Sequence, residues 1–363
     1  MRKVNFINNW IRNDIQLMNA YHIPNPGNFL KLDAMESPYV PNQDFLTEFT
    51  NFLSKVEINR YPDPEADELV LSLRNLMGID ASLGILLGNG SDELIQILAL
   101  ACGEGESIMS FSPSFVMYEL ITKYTRLNFI DSPLSNFDIN LEKSIDLIKT
   151  KKPKIIFIAY PNNPTGNLFN RKKIETIIQS TDALVVLDEA YYAYADDTFL
   201  NDILKYENLV LLRTISKIGF AGARLGLLIG SKETLGELNK IRLPYNINSL
   251  TQATCKFLLN KKNYLQSHAD LIINERNDLI ESLKKYRNIT VFPSQANFVL
   301  IKILESEKLF NFLLEKKILI KNLSKIKGLK NYLRITIGSQ KDNSIFISAL
   351  DEFFKKNKNA NFK

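Results

Sequence analysis

LVLLRTISKIGFAGARLGLLIG, residues 209–230, is the stretch around which the chain is organised. It opens on an apolar, leucine-rich run, breaks at Thr214, Ser216, Lys217 and Gly219, and returns to a second apolar run from Leu225. Apolar runs of this length bounded by turn residues predict two buried strands with a turn between them. The turn places one amine, Lys217, between the hydroxyls of Thr214 and Ser216 and a glycine-bearing segment that leads to Arg224. Hydroxyls and a guanidinium are anion ligands, so this turn predicts anion binding beside an amine.

Across residues 107–230 the chain alternates apolar runs with helix-length amphipathic pieces. IMSF (108–111), IIFIAY (155–160), LVVLD (184–188), LVLL (209–212) and LGLLI (225–229) read as strands; FVMYELITKY (115–124), LEKSIDLIK (141–149) and RKKIETIIQ (171–179) read as helices. That alternation predicts an α/β fold with a mostly parallel sheet covered by helices. Ligands in such sheets sit beyond the carboxyl ends of the strands. Three polar residues leave the sheet there: Asn163 in PNNPTG, Asp188 in DEAYY and Lys217.

ILLGNGSDELIQILALA, residues 85–101, predicts a strand, a turn at Gly90 and a helix opening at Ser91 or Asp92. Unpaired N–H groups at a helix start can hold a phosphate without a cationic side chain. Asp92 and Glu93 would repel a dianion if they pointed at it, which leaves backbone N–H groups, hydroxyls and Arg224 to do the holding.

The chain is 363 residues long, about two domains' worth, with 45% hydrophobic and 23% charged residues. Lys+Arg 45 against Asp+Glu 40 gives +5 with the charges interspersed, so no nucleic-acid partner is expected and small anionic substrates are suited. Cys102 and Cys255 stand far apart, and His22 and His268 are the only histidines; neither a disulfide framework, a zinc site nor a histidine triad is predicted. No segment approaches membrane-spanning length, and the opening residues lack the apolar core of a secretory leader, so a reducing, cytoplasmic setting is expected.

From Leu243 the pattern changes. LPYNINSLTQATCKFLL (243–259) and LIINERNDLIESLKKY (271–286) read as a turn and helices, ITVFPSQANFVLIKI (289–303) and KILIKNL (317–323) as strands, and SIFISALDEFFKK (344–356) as a final helix. The expected organisation is an N-terminal arm over residues 1–29, a large domain over 30–250 and a small α/β domain over 251–363.

The spacing S-K-x-G-x-A-G-x-R-x-G at 216–226 resembles the cofactor-lysine signature of the fold-type I aminotransferases, which use pyridoxal 5'-phosphate. AMESPY (34–39), RYPDP (60–64), DEAYY (188–192) and LRITIGS (333–339) narrow the resemblance to the histidinol-phosphate aminotransferases, although Ser37 stands where that family usually has Asn. The resemblance implies that Lys217 bonds to the cofactor aldehyde and moves protons as the catalytic group. It implies that Asp188 holds the ring nitrogen protonated and that Asn163 and Tyr191 donate to the ring oxygen. Gly90, Ser91, Asp92, Thr214, Ser216 and Arg224 would surround the phosphate. Tyr61 would reach the cofactor phosphate of a second subunit, making the protein a homodimer.

For substrates, the resemblance points to Arg334 as the grip on a carboxylate or phosphate, with Tyr21 and Asn163 nearby. Where the family usually has a second arginine this chain has Lys321, which keeps the charge but not the planar fork. The implied reaction exchanges an amino group between glutamate and imidazole acetol phosphate, giving histidinol phosphate and 2-oxoglutarate. An aromatic aminotransferase and a phosphothreonine decarboxylase share the fold and similar motifs, and a non-catalytic pyridoxal-binding regulator is the reading from a different class. Singly, each residue has a plainer role: Tyr21 can pack the arm, Tyr61 can anchor a loop, Asp188 can cap a helix, and Tyr191 can be a core aromatic.

Overall fold

A computed structural model describes residue 6, residues 9–20 and residues 27–360, with the side chains of 357–360 left aside. Within these residues twelve strands form two sheets. The seven-stranded sheet comprises β2 (Leu83–Asn89), β3 (Ser107–Ser112), β4 (Asn128–Pro133), β5 (Ile155–Ala159), β6 (Leu184–Asp188), β7 (Leu209–Thr214) and β8 (Leu225–Ser231). Its order is β2-β8-β7-β6-β5-β3-β4. Pairings from β7 across to β4 are parallel, while β8 runs antiparallel to both of its neighbours. The LGLLI run is therefore the exception in a mostly parallel sheet, because the short 215–224 turn leaves no room for a crossover.

Side-chain alternation splits the buried residues of this sheet between two layers. Ile156, Ile158, Val185, Leu187, Leu211 and Ile229 face one core with Leu73, Ile174 and Ile177 from helices Asp67–Met77 and Arg171–Gln179. Phe157, Val186, Val210, Leu212 and Leu228 face the other, with Leu94, Leu98 and Ile121 from helices Ser91–Leu100 and Val116–Tyr124. Covered on both faces, β5 and β7 are buried along their whole length. Asparagines open several helices: Asn140 accepts from the Lys143 N–H at 3.2 Å and Asn248 from the Thr251 N–H at 2.9 Å.

The smaller sheet runs β1-β11-β12-β10-β9, with β1 Leu30–Leu32, β9 Thr290–Val291, β10 Phe298–Lys302, β11 Ile318–Asn322 and β12 Tyr332–Thr336. It packs on helices Lys262–Lys284, Ser306–Glu315 and Gln340–Ala360 through Ile272, Leu279, Leu309, Leu313, Phe346 and Leu350.

Two features depart from the expected domain limits. Leu30–Leu32 pairs in parallel with Ile318–Ile320, so the strand that opens the expected large domain belongs to the smaller sheet. The 250/251 limit falls inside helix Ser249–Leu259, whose Cys255 and Leu259 belong to the large core. Helix Lys262–Lys284 then crosses over, with Leu265 in the large core and Ala269 and Ile272 in the small one. A change in hydropathy pattern marks where a helix begins, not which core its face meets. Among the described residues no helix is long and apolar enough to cross a membrane.

Candidate active site

The parallel strands deliver their polar ends to one cleft. Asn163, Asp188 and Lys217, from the ends of β5, β6 and β7, line it together with Tyr191, Ser91, Asp92, Thr214, Ser216 and Arg224. In-register pairing of Ala159 with Asp188, and of Asp188 with Leu212, sets the three turns side by side.

Asp188 is 5% exposed. Burial raises its carboxyl to about 6, against hydrogen bonds from the Tyr118 hydroxyl to Oδ2 at 2.6 Å and from the Ala190 N–H to Oδ1 at 3.0 Å. A buried carboxylate held by donors on both oxygens is suited to a cationic N–H aimed into the cleft. Tyr118 escaped the sequence reading, where it was one residue of an amphipathic helix. Phe115, the extended residue just ahead of helix Val116–Tyr124, lines the same cleft, but nothing in the sequence marked either ring.

Lys217 sits in a single 3₁₀ turn, Ser216–Ile218. Burial first, and then the charge of Arg334, lowers its amine to about 8, opposed by Glu36 and Asp92. Its Nζ lies 3.4 Å from the Ala34 carbonyl, so the AMESPY segment closes over the amine. From below, the Tyr194 hydroxyl donates to the Lys217 carbonyl and fixes the turn. An amine so placed is neutral more often at pH 7 than an exposed lysine, which is what proton abstraction needs.

On the other side of the turn, Thr214, Ser216 and Arg224 meet the start of helix Ser91–Leu100. Ser216 N–H donates to Thr214 Oγ1 at 3.1 Å, and the Thr214 hydroxyl donates to the Leu225 carbonyl at 2.8 Å. Gly90, with φ +79°, is the N-cap and makes no side-chain capping bond. In the acidic first turn Glu93 is engaged outside the cleft, while Asp92 stays on its lining beside Arg224. Glu93 accepts from the Asn89 N–H at 2.6 Å and from Asn246 at 2.8 Å, and Asp92 lies 3.5 Å from Arg224.

A Cβ on Gly90 would fall 2.3 Å from an Arg224 nitrogen, and one on Gly226 would fall 2.6 Å from the Gly90–Ser91 backbone. The two glycines are thus what lets strand β8, the guanidinium and the helix start close into a cradle. Backbone N–H groups, two hydroxyls and a cation around one space fit a phosphate.

Asn163 is buried; its Nδ2 donates to the Tyr191 hydroxyl at 3.3 Å, and its Oδ1 accepts from Arg334 Nη1 at 2.5 Å. Arg334 Nη2 donates to the Asp33 carbonyl at 2.8 Å. This arginine, on β12, therefore joins the smaller sheet to the end of β5. Lys321 on β11 is its cross-strand neighbour, and its ammonium is lowered by burial first and then by Arg334, with Asp33 opposing. Arg334 thus reaches the edge of the cleft through Asn163, with Lys321 beside it on the same face of the small sheet.

Of the expected site residues that are described, Tyr61 lies apart from the cleft. Tyr61 is 81% exposed and stacks on Tyr245 with centroids 4.5 Å apart, outside the cleft residues. Tyr21 lies outside the described residues. Glu189, for which the sequence suggested no role, makes a buried ion pair with Arg213 at 2.7 Å and accepts from Thr198 and the Phe199 N–H.

Comparison with known proteins agrees with this arrangement. The chain is 53% identical over 352 residues, 97% of its own length and 99% of the other's, to the histidinol-phosphate aminotransferase of Vesicomyosocius okutanii subsp. Calyptogena okutanii (strain HA). The crystal structure of the histidinol-phosphate aminotransferase from Clostridium acetobutylicum superposes with a TM-score of 0.82 at 28% identity, covering 90% of this chain and 99% of that one. That of the Sinorhizobium meliloti histidinol-phosphate aminotransferase in complex with pyridoxal-5'-phosphate shares the fold, with a TM-score of 0.85 at 20% identity over 96% of this chain and 98% of that one. The family model for aminotransferases of class I and II matches residues 28–350, so this chain belongs to that aminotransferase family.

Proposed function

We propose that this enzyme exchanges an amino group between L-histidinol phosphate and 2-oxoglutarate, giving imidazole acetol phosphate and L-glutamate, as a step in histidine biosynthesis in the cytoplasm. The observation that carries the reading is the meeting of Arg334 with Asn163, which brings an anion-gripping guanidinium to the cleft that holds Lys217 and Asp188. Near full-length 53% identity to a histidinol-phosphate aminotransferase supports the same substrates.

The residues fit pyridoxal phosphate, which when bound supplies an aldehyde that bonds to amines and a ring that accepts the electron pair left at the substrate carbon. Ionised Asp188 keeps a proton on the ring nitrogen. Asn163 and Tyr191 orient the ring oxygen, and Tyr118 holds Asp188 in place. Ser91, Thr214, Ser216, Arg224 and the backbone at Gly90 hold the phosphate, with Asp92 steadying Arg224. The Lys217 amine would act as general base and then acid, taking the proton from the substrate carbon and delivering it to the carbon of the cofactor that carried the aldehyde.

Glutamate presents a carboxylate and histidinol phosphate a phosphate, and Arg334 beside Lys321 can receive either through charge-assisted hydrogen bonds. Tyr21 is assigned to substrate binding. The exposed Tyr61, on its proline-bounded turn, is assigned to the cofactor phosphate of a second copy, so the working form is a homodimer. Within each copy we assign residues 1–29 to an arm, with the large and small domains exchanging along helix Lys262–Lys284.

The test is the visible absorbance of the cofactor-loaded enzyme before and after addition of L-histidinol phosphate, with turnover assays on histidinol phosphate, phenylalanine and phosphothreonine. A spectral change and 2-oxoglutarate-dependent turnover with histidinol phosphate are expected. Preferential turnover of phenylalanine, or carbon dioxide release from phosphothreonine, would reassign the substrate.

A further inference from the structure

Met35, just after strand β1, has φ +55°. A left-handed backbone at a long, non-glycine side chain is uncommon and persists only where its surroundings hold it against a conformational cost. The residue is buried and lines the cleft around Lys217. Its neighbour Ala34 supplies the carbonyl that lies 3.4 Å from the Lys217 amine.

Two side chains beside the smaller sheet's β10 and β12 grip Met35 by both of its backbone groups. The Met35 N–H donates to Thr336 Oγ1 at 3.0 Å, and Asn297 Nδ2 donates to the Met35 carbonyl at 3.0 Å. Thr336 is 2% exposed and Asn297 0%, so both bonds are closed to solvent. The two grips are themselves neighbours: Phe298 pairs with Thr336, and the Asn297 carbonyl accepts from the Ile337 N–H at 2.9 Å. Residues two apart on a strand share a face, so Arg334 and Thr336 reach the same stretch of chain. Arg334 Nη2 holds the Asp33 carbonyl while Thr336 holds Met35.

The consequence for Lys217 follows from the peptide between Ala34 and Met35. Its carbonyl and its N–H lie in one plane and point in opposite directions across a trans bond. Anchoring the N–H on Thr336 therefore turns the Ala34 carbonyl away from β12 and onto the lysine amine. We propose that Thr336 and Asn297 are positioning residues for Lys217, clamping Met35 in its left-handed conformation so that the Ala34 carbonyl stays aimed at the lysine amine and the segment stays closed over it. This rests on the transamination reading, in which the Lys217 amine moves the substrate proton. An amine with one N–H committed to a fixed carbonyl has a restricted lone pair, and small misplacements of a proton-transfer group are costly in rate.

The clamp also keeps the amine dry. Burial is the largest influence lowering the Lys217 amine to about 8, ahead of the charges that face it: Arg334 on β12, Glu36 in the same segment, Asp92 at the helix start and Arg224 beyond the turn. A loosened clamp that admits water relieves that burial and moves the amine back towards 10.5.

Thr336→Val keeps the branched shape and removes the acceptor. Its kcat with histidinol phosphate should fall about tenfold or more, with KM changed less. The second readout uses the cofactor-free protein, in which carbamylation of Lys217 by cyanate is followed by peptide mass spectrometry from about pH 6 to 10. In Thr336→Val the amine should titrate at higher pH than in the wild type. Thr336→Ser retains the hydroxyl and should restore both readouts. Adding Met35→Asn to Thr336→Val should recover part of both, because asparagine takes the left-handed conformation more readily than methionine. Asn297→Ala cuts the other bond of the clamp and must give the same pair of changes, which serves where Thr336→Val does not fold. The proposal is overturned if the folded variants titrate Lys217 as the wild type does, if Thr336→Ser behaves like Thr336→Val, or if Met35→Asn recovers nothing. A wild type that does not turn over histidinol phosphate faults the substrate reading instead, and the cofactor-free titration still judges the clamp.

Discussion

The Tyr118 hydroxyl donates to Asp188 Oδ2 at 2.6 Å, tying a helix on one face of the large sheet to the tip of its central strand. The Tyr118 ring is stacked on Phe157 with centroids 4.7 Å apart, so it cannot swing away. The bond favours the carboxylate, against the burial that raises the Asp188 carboxyl to about 6.

Cofactor affinity should therefore depend on pH with a known sign. In the proposed role ionised Asp188 would stabilise a protonated ring nitrogen, so affinity is expected to fall as pH drops through about 6. Tyr118→Phe removes a donor to the charged form and moves this acidic limb to higher pH. Fluorescence titrations of pyridoxal phosphate into the apoenzyme from about pH 5 to 9 give the limb directly. Superimposable limbs for wild type and variant would remove Tyr118 from the site.

Lys217 carries the opposite balance of stability and function. Its amine is lowered from 10.5 to about 8, so the folded apoenzyme binds this proton less well than the unfolded chain does. The charged lysine thus destabilises the fold fully below about 8, and the penalty is relieved as pH rises from there to 10.5. Lys217→Met should abolish transamination and raise the cofactor-free melting temperature at neutral pH by roughly a few degrees. A variant that turns over like wild type, or melts lower at neutral pH, contradicts the assignment.

The placement of these residues divides by how far it could be seen in the chain. Asn163, Asp188 and Lys217 were legible because each closely follows or ends an apolar run, and strand ends in a parallel sheet share one side. Tyr118 was not, because its partner depends on which helix face meets the sheet, and that is set by packing with Phe157. The Leu30–Leu32 strand was legible as a strand, but its pairing with Ile318–Ile320 is a tertiary event with no local signal. The same holds for Glu189 and Arg213, which look like two ordinary polar residues until adjacent strands bring them together.

Arg334 serves two elements at once, donating to Asn163 from Nη1 and to the Asp33 carbonyl from Nη2. Lysine cannot make both bonds from one plane. Arg334→Lys should raise KM for both glutamate and histidinol phosphate by about tenfold to a hundredfold, since each charge-assisted bond contributes about 1.5–3 kcal/mol. A loss confined to one substrate would refute a shared anion site. Lys321→Ala, in contrast, should affect the dianionic phosphate substrate more than the carboxylate.

The Glu189–Arg213 pair is buried on both sides, at 1% and 3% exposure. Removing one charge leaves the other uncompensated beneath Tyr192, whose ring lies 4.4 Å from the Arg213 guanidinium. Glu189→Gln should cost about 3–5 kcal/mol in denaturant unfolding, and adding Arg213→Met to that variant should recover part of the loss. An unaltered midpoint for the single variant would show that the pair contributes only packing.

Gly226 provides the most local test of the phosphate cradle. It lies on β8 opposite Gly88, and a Cβ there would meet the Gly90 carbonyl carbon and the Ser91 nitrogen at 2.6 Å, which are backbone atoms that cannot rotate aside. Gly226→Ala must push the start of helix Ser91–Leu100 away from Thr214 and Arg224. Gly90→Ala meets instead the end of the Arg224 side chain, and adds the cost of a left-handed backbone at φ +79°. Both variants should weaken pyridoxal phosphate binding, with Gly226→Ala unresponsive to further change at Arg224 and Gly90→Ala resembling Arg224→Ala. Equilibrium dialysis of the cofactor against Gly226→Ala, Gly90→Ala, Arg224→Ala and the Gly226→Ala/Arg224→Ala double variant separates the cases. Wild-type affinity in Gly226→Ala would mean that the phosphate is held elsewhere than at this helix start.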